Sequence, residues 1–172
     1  MNDKKAQTRE RILKAASAAL IQRGPAEPSV GEVMGAAGLT VGGFYAHFES
    51  KDAMMLEAFK QLLGHRRGLI ADMDAELTGE ERRALVAAFY LSRKHRDSSE
   101  SACPIPASVG ELGRLPDAFR VALNEHVEMM VAQLAASPED TDKALADMAL
   151  MVGGLALARA LGPGDLSDRL LR

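Results

Sequence analysis

The chain has 172 residues and a formal net charge of −3, enough for one or two small domains with a packed core. It is rich in Ala, Leu and Met, carries only two tyrosines and shows no alternating strand pattern, which selects a helical protein. Its single cysteine, Cys103, excludes an internal disulfide and suits a reducing, cytoplasmic compartment.

Ile12, Leu13, Ala16, Ala19 and Leu20 recur at helical spacing and predict a first helix from about Thr8 to Arg23. Gly24 and Pro25 end it. The basic N-terminus before this apolar segment is not read as a signal peptide, because Lys14 interrupts the segment and its apolar residues share one helical face. Ser29-Val30-Gly31-Glu32 has capping-box spacing and opens a second helix to about Ala37. Gly38 sits where the chain must reverse, a place that needs the positive φ glycine tolerates. Thr40 is the expected N-cap of a third helix running to His47. Its small opening residues Val41, Gly42 and Gly43 allow close approach to a DNA groove, while Phe44, Tyr45 and Phe48 anchor its far end. Three short helices with tight turns form a compact helix-turn-helix head.

A long helix is expected from Ser50 to about Glu76, and Thr78-Gly79-Glu80-Glu81 caps another through Leu85, Phe89 and on toward His95. Residues 96–101 read as a polar loop. Cys103-Pro104-Ile105-Pro106 then leads into a short helix ending near Gly113. Pro116 opens a helix to about Ala136, Ser137-Pro138 opens the next up to Gly162, and a short helix from Asp165 makes about nine in all. The longest uncharged apolar run, Met148 to Ala158, has 11 residues, too few to span a bilayer. Charge is uneven: residues 1–52 carry a net +1, the first fourteen a net +3, and the remainder a net −4. A basic arm and head on an acidic body fit a protein whose larger part stays off phosphate.

Taken together, Arg11, Ile12, Leu13, Gly24, Val33, Gly38, Leu39, Thr40, Gly42, Tyr45, His47, Phe48, Ser50, Lys51 and Asp52 resemble, in register from Thr8 to Phe59, the DNA-binding domain of the TetR/AcrR family of bacterial transcriptional regulators. Pro28 stands where that family usually has a threonine, and Met34 where it usually has a small alanine. The resemblance implies an all-α fold in which a three-helix head is joined by a long helix to a ligand-binding and dimerisation body. It divides the chain into a DNA-binding domain, residues 1–50, and an effector-binding and dimerisation domain, residues 51–172. It also implies a homodimer on a double-stranded, pseudo-palindromic operator, released by a small-molecule effector, with no membrane association and half-sites ~34–36 Å apart.

On that reading Tyr45, His47 and Lys51 contact phosphates, Thr40, Val41 and Gly43 face base edges or the adjoining backbone, and Ser29 belongs to the same DNA-binding set. The helix from Lys143 to Leu161 is apolar around most of its circumference, and Met151, Gly153, Gly154 and Ala158 are the expected dimer contacts. His65, Phe89, Cys103, His126, Met129 and Met130 are candidate pocket residues, each of which also has a plain packing or surface role open to it. His65, Arg66 and Arg67 on the long helix read as a solvated face. Cys103, beside prolines at a helix start, is either a thiol sensor with a lowered pKa or a small buried apolar residue. No His/Cys/Asp cluster has metal-ligand spacing, and no phosphate loop, nucleophile elbow or catalytic pair is present, so neither a cofactor, a metal nor an enzymatic activity is expected. The alternative to a ligand-responsive repressor is a constitutive DNA-binding protein with a purely structural body.

Overall fold

The computed structural model describes residues 2–73, 76–98, 102–135 and 137–172. The described residues form nine α-helices and three short 3-10 helices, with no strand. Helix α1 spans Asn2–Arg23 and starts earlier than the apolar spacing alone required; α2 spans Val30–Ala36. A 3-10 helix, Val41–Ala46, follows, then the long α3, Lys51–Ala71. The body continues with α4 (Gly79–Tyr90), α5 (Arg93–Asp97), α6 (Ile105–Ser108) and the 3-10 turn Leu112–Arg114. Helix α7 (Asp117–Leu134), a 3-10 turn (Pro138–Asp140), α8 (Thr141–Leu161) and α9 (Asp165–Leu170) complete it.

Local chemistry sets most of these boundaries. Ser50 Oγ accepts from the Ala53 amide to start α3, and Thr78 with Glu81 forms a reciprocal capping box on α4. Gly24 (φ +77°) and Gly162 (φ +70°) close α1 and α8 in the left-handed region. The α4 pattern breaks at Leu91, so His95 falls on the separate α5, whose N-cap Ser92 accepts from the His95 amide. Of the expected polar loop 96–101, Arg96 and Asp97 close α5, and residues 99–101 lie outside the described residues.

The core is continuous from head to body. Ile12, Leu20, Val33, Met34, Phe44 and Phe59 are shut off from solvent in one apolar cluster that also takes in Ile105, Leu112 and Phe119. Each large side chain so buried contributes roughly 1.5–3 kcal/mol of transfer free energy. Phe59 on α3 meets Phe119 on α7 with ring centroids 5.9 Å apart. Residues 103–111 act as a strap across the joint. The chain reaches Glu111, whose Oε2 accepts from the Ala26 amide at 3.1 Å, and a Cβ on Gly24 would come within 2.6 Å of the Ala107 carbonyl.

The segment Pro138–Leu161 has 24 residues and a most apolar 18-residue window of mean hydropathy 1.6, enough by length and composition to cross a membrane, and only 28% of that window is buried within the chain. The run-length argument missed this because Asp147 and Arg159 bound the uncharged stretch without making the helix polar. Asp147 pairs with Arg83 at 3.5 Å, and Arg159 donates to the His95 carbonyl at 3.2 Å.

Candidate nucleic-acid interface and effector cavity

The head presents its recognition segment through two interlocking caps. The Glu32 amide donates to Ser29 Oγ at 3.2 Å, while the Ser29 amide donates to Glu32 Oε2 at 2.8 Å. The Ser29 backbone bond, reinforced by Arg23, holds the Glu32 carboxyl down at about 2. At the other end of α2 the Gly38 amide donates to the Gly35 carbonyl (2.9 Å) and the Leu39 amide to the Met34 carbonyl (2.8 Å), the paired bonds of a Schellman cap with Gly38 at φ +67°. The Arg11 guanidinium ties α1 to this turn by donating to the Ala37 carbonyl at 2.7 Å.

The segment that follows is a 3-10 helix rather than the expected α-helix. Two adjacent glycines, Gly42 and Gly43, weaken the α conformation. Phe44 is fully buried and stacks on Phe48 at 5.8 Å, which fixes one side of the segment. Thr40, Val41, Gly42 and Gly43 are exposed, as is Tyr45, which is 75% accessible. Thr40 occupies the N-cap position, but its side chain makes no capping bond. Ser29 is exposed with its hydroxyl engaged by Glu32. His47 is half-buried, with Nδ1 shielded and unpartnered, and Lys51 Nζ donates to the Ala26 carbonyl. Arg9 pairs with both carboxylate oxygens of Glu57 and lies 4.5 Å over the Phe48 ring, so α1, the end of the recognition segment and α3 are clamped together.

The body encloses an apolar cavity of about 300 Å³. Its walls come from Leu69, Ile70 and Met73 of α3, Leu85, Val86 and Phe89 of α4, Met130 of α7, and Met148 and Met151 of α8. The polar residues Arg66, Tyr90, Cys103 and His126 also line it. Behind Tyr90, His95 is locked as a neutral ring: Nδ1–H donates to the Tyr90 carbonyl (2.8 Å), and Nε2 accepts from the Cys103 amide (2.8 Å) and from Arg66 (3.2 Å). Burial, with the Arg66 and Arg159 charges adding to it, depresses the His95 pKa to about 4. Burial beside Arg67 takes His126 to about 4 as well.

Residues 12–58 match the family model for bacterial regulatory proteins of the tetR family. The head therefore matches the DNA-binding domain of that family. An uncharacterised HTH-type transcriptional regulator of Bacillus subtilis (strain 168), YerO, is 24% identical over 165 residues; the match covers 90% of this chain and 54% of YerO, so the chain spans about half that relative's length. A TetR regulator from Chloroflexus aurantiacus superposes with a TM-score of 0.74 at 27% identity, covering 98% of this chain and 92% of that one. A TetR-family regulator from Agrobacterium tumefaciens superposes with a TM-score of 0.79 at 18% identity, covering 92% and 90%. These likenesses extend the TetR fold beyond the head through the whole helical body.

The structure sorts the candidate residues. Phe89, Cys103, His126 and Met130 line the cavity; His65 and Met129 do not, because their side chains point to solvent from α3 and α7. Arg66, expected on a solvated face, is buried and faces the cavity, while His65 beside it is exposed. The signal was present: Phe59, Leu63, Arg66 and Ile70 fall at one helical stripe, which places the arginine among apolar neighbours. On α8, Met151 and Ala158 face the chain's own core, and Gly154 packs its Cα side against Leu91, 3.1 Å from where a Cβ would sit. Gly153 has open space in that direction. The outward residues of α8 are instead Leu145, Leu150, Leu157 and Leu161, which sequence reasoning missed. Cys103 is buried, and burial raises its pKa despite the neighbouring Tyr90 hydroxyl and guanidiniums. The thiol is therefore held protonated, which is the state of a packed side chain and not of a reactive thiolate. Among the described residues no group of His, Cys, Asp and Glu is arranged to hold a metal.

Proposed function

We propose that the chain is a dimeric repressor that leaves its operator when a small molecule enters the body cavity. The observation that carries this reading is the exposed Thr40–Tyr45 surface, held out by a buried Phe44 and two capped turns. In this reading residues 1–50 read DNA and residues 51–172 hold the effector and the partner subunit. Thr40, Val41 and Gly43 meet base edges, and Tyr45, His47 and Lys51 meet phosphates; Ser29 contributes by capping α2. The apolar cavity among α3, α4, α7 and α8 favours an effector over a purely structural body, because a constitutive binder has no use for it. Ligand entry between these helices shifts the population toward a head spacing that no longer fits adjacent major grooves. A regulator working on chromosomal DNA acts in the cytoplasm and needs no catalytic activity.

The direct test is selection of DNA fragments bound by the protein from the genome of its source. A pseudo-palindrome with half-sites one helical turn apart supports the reading; enrichment independent of sequence overturns it. Lys51→Ala is expected to weaken binding to operator and scrambled DNA alike and to lower the salt slope by roughly one per contacted phosphate in each subunit. Its present bond to the Ala26 carbonyl is exchanged for a phosphate on binding. A changed base preference with an unchanged salt slope would show that Lys51 does not meet the backbone.

The dimer in this reading is built on α8, and its outward leucines supply the contact. Leu150 and Leu157 are 68% and 57% accessible. Leu150→Asp with Leu157→Asp is therefore expected to leave the protomer folded and to raise the dimer dissociation constant by at least a hundredfold, at roughly 1.5 kcal/mol or more per buried leucine. Sedimentation equilibrium checks it, and a wild-type protein that is monomeric at micromolar concentration refutes the dimer.

A further inference from the structure

One residue of the cavity wall, Tyr90, carries a buried hydroxyl that the protein itself leaves with only a weak partner. The Tyr90 hydroxyl is shielded from solvent and makes no hydrogen bond of ordinary geometry. Its near neighbour is the Cys103 thiol, a weak group on either side of a hydrogen bond. A weakly partnered buried hydroxyl is costly, and on a residue that lines a cavity it is a group whose bonding a guest can complete. The other polar side chains on the wall are donors too. Arg66 offers only N–H groups, and His126, whose Nδ1 accepts from Arg67 at 3.3 Å, carries its proton on Nε2. A guest with an acceptor oxygen complements such a wall, and the guanidinium repels a cation. The remaining lining is apolar, with the rings of Phe89 and Tyr90 and the thioethers of Met73, Met130, Met148 and Met151 set among aliphatic side chains. Methionine sulfur packs favourably against ring edges and adapts to their outline. A volume of about 300 Å³ lies at the small end for ligand pockets and suits one or two fused rings.

We propose that the cavity takes a small aromatic molecule, neutral or anionic, whose hydrogen-bond acceptor docks on the Tyr90 hydroxyl. This rests on the ligand-responsive reading above and adds the chemical class of the effector and the residue that selects it. Phe89, half-exposed at the wall, stacks 5.9 Å from His95 and 5.6 Å from the Arg66 guanidinium, so the ring that flanks the guest is itself held by the polar cluster behind it.

Four matched probes test it by calorimetry on the full chain: naphthalene, 2-acetonaphthone, 2-naphthoate and 2-naphthylmethylammonium. The ketone and the carboxylate are expected to bind roughly 3- to 10-fold tighter than naphthalene, and the ammonium weakest. Tyr90→Phe keeps the ring and should erase the advantage of the two acceptors while leaving naphthalene unchanged. Met148→Trp, which fills the cavity, should abolish binding of all four. Equal loss of every probe in Tyr90→Phe, tightest binding by the ammonium, or no binding at all overturns the proposal. The same probes added to the protein on its selected operator separate the two ideas. Tyr90-dependent binding that leaves DNA affinity unchanged upholds the anchor and overturns ligand-controlled release. Release that is equally potent in Tyr90→Phe overturns the anchor and upholds ligand control.

Discussion

Between pH about 6.5 and 4 the protein is expected to lose stability steeply, because two histidines must charge inside it. His95 and His126 are both buried, and the folded state holds each near 4 against an ordinary 6.5. Folding therefore releases protons in this window. The stabilisation is complete above the unfolded value and is lost as pH falls toward the folded one, by about 1–2 kcal/mol per histidine at pH about 5. For His95 the reason is structural as well as electrostatic. Protonating Nε2 removes the acceptor of the Cys103 amide and sets a new charge beside Arg66 and Arg159. Urea midpoints at several pH values, with His126→Gln as the variant that should remove its share, provide the measurement. The depressed carboxyls of Glu32 and Glu81 act only below their ordinary value of 4.5, so the higher window isolates the histidines. A midpoint unchanged down to pH about 5 would mean that neither ring is neutral because of burial.

Gly24→Ala is expected to cost about 2–4 kcal/mol, far more than an exposed substitution of one methyl. The residue sits at φ +77°, and its new Cβ would lie 2.6 Å from both the Ala107 carbonyl and Glu111 Oε2. The carboxylate can swing away only by giving up the Ala26 amide, and the carbonyl can move only with the whole strap. At ~2–4 °C per kcal/mol in a chain of this size, calorimetry should show a melting point lower by roughly 5–15 °C. Gly35→Ala is the control. Nothing lies within 4 Å of its Cβ position, and alanine is the better helix former, so its melting point should hold or rise. Equal effects at the two sites would sink the argument that the strap confines Gly24.

What could be read before any coordinates was what short stretches of chain decide for themselves. Ser29 with Glu32, Thr78 with Glu81, and Gly24 and Gly38 satisfy backbone groups within a few residues, so their patterns are visible in sequence. Helix α8 was harder. Its alanines, glycines, leucines and methionines surround the axis, no polar stripe marks an outer face, and small residues suggested an interface where Gly154 in fact meets Leu91. Tyr90 escaped notice, and the part His95 plays was not legible, because their roles depend on partners that arrive from elsewhere, the Cys103 amide and the α3 guanidinium. Arg66 is the instructive case. Its charge outweighed its register in the reading, although Leu63 and Ile70 on the same stripe pointed inward.

The strap has a consequence for building hybrid regulators. The obvious junction for transplanting a new DNA-reading head is the Ser50 cap, where one helix ends and the next begins. The turn at 24–27 would then arrive from the donor while its seat, Ala107 and Glu111, stayed with the recipient. A graft cut there carries a mismatched joint even when both halves fold well. Moving residues 105–111 together with the head keeps the seat and its occupant from the same parent, at the expense of importing one wall of the cavity at Ile105.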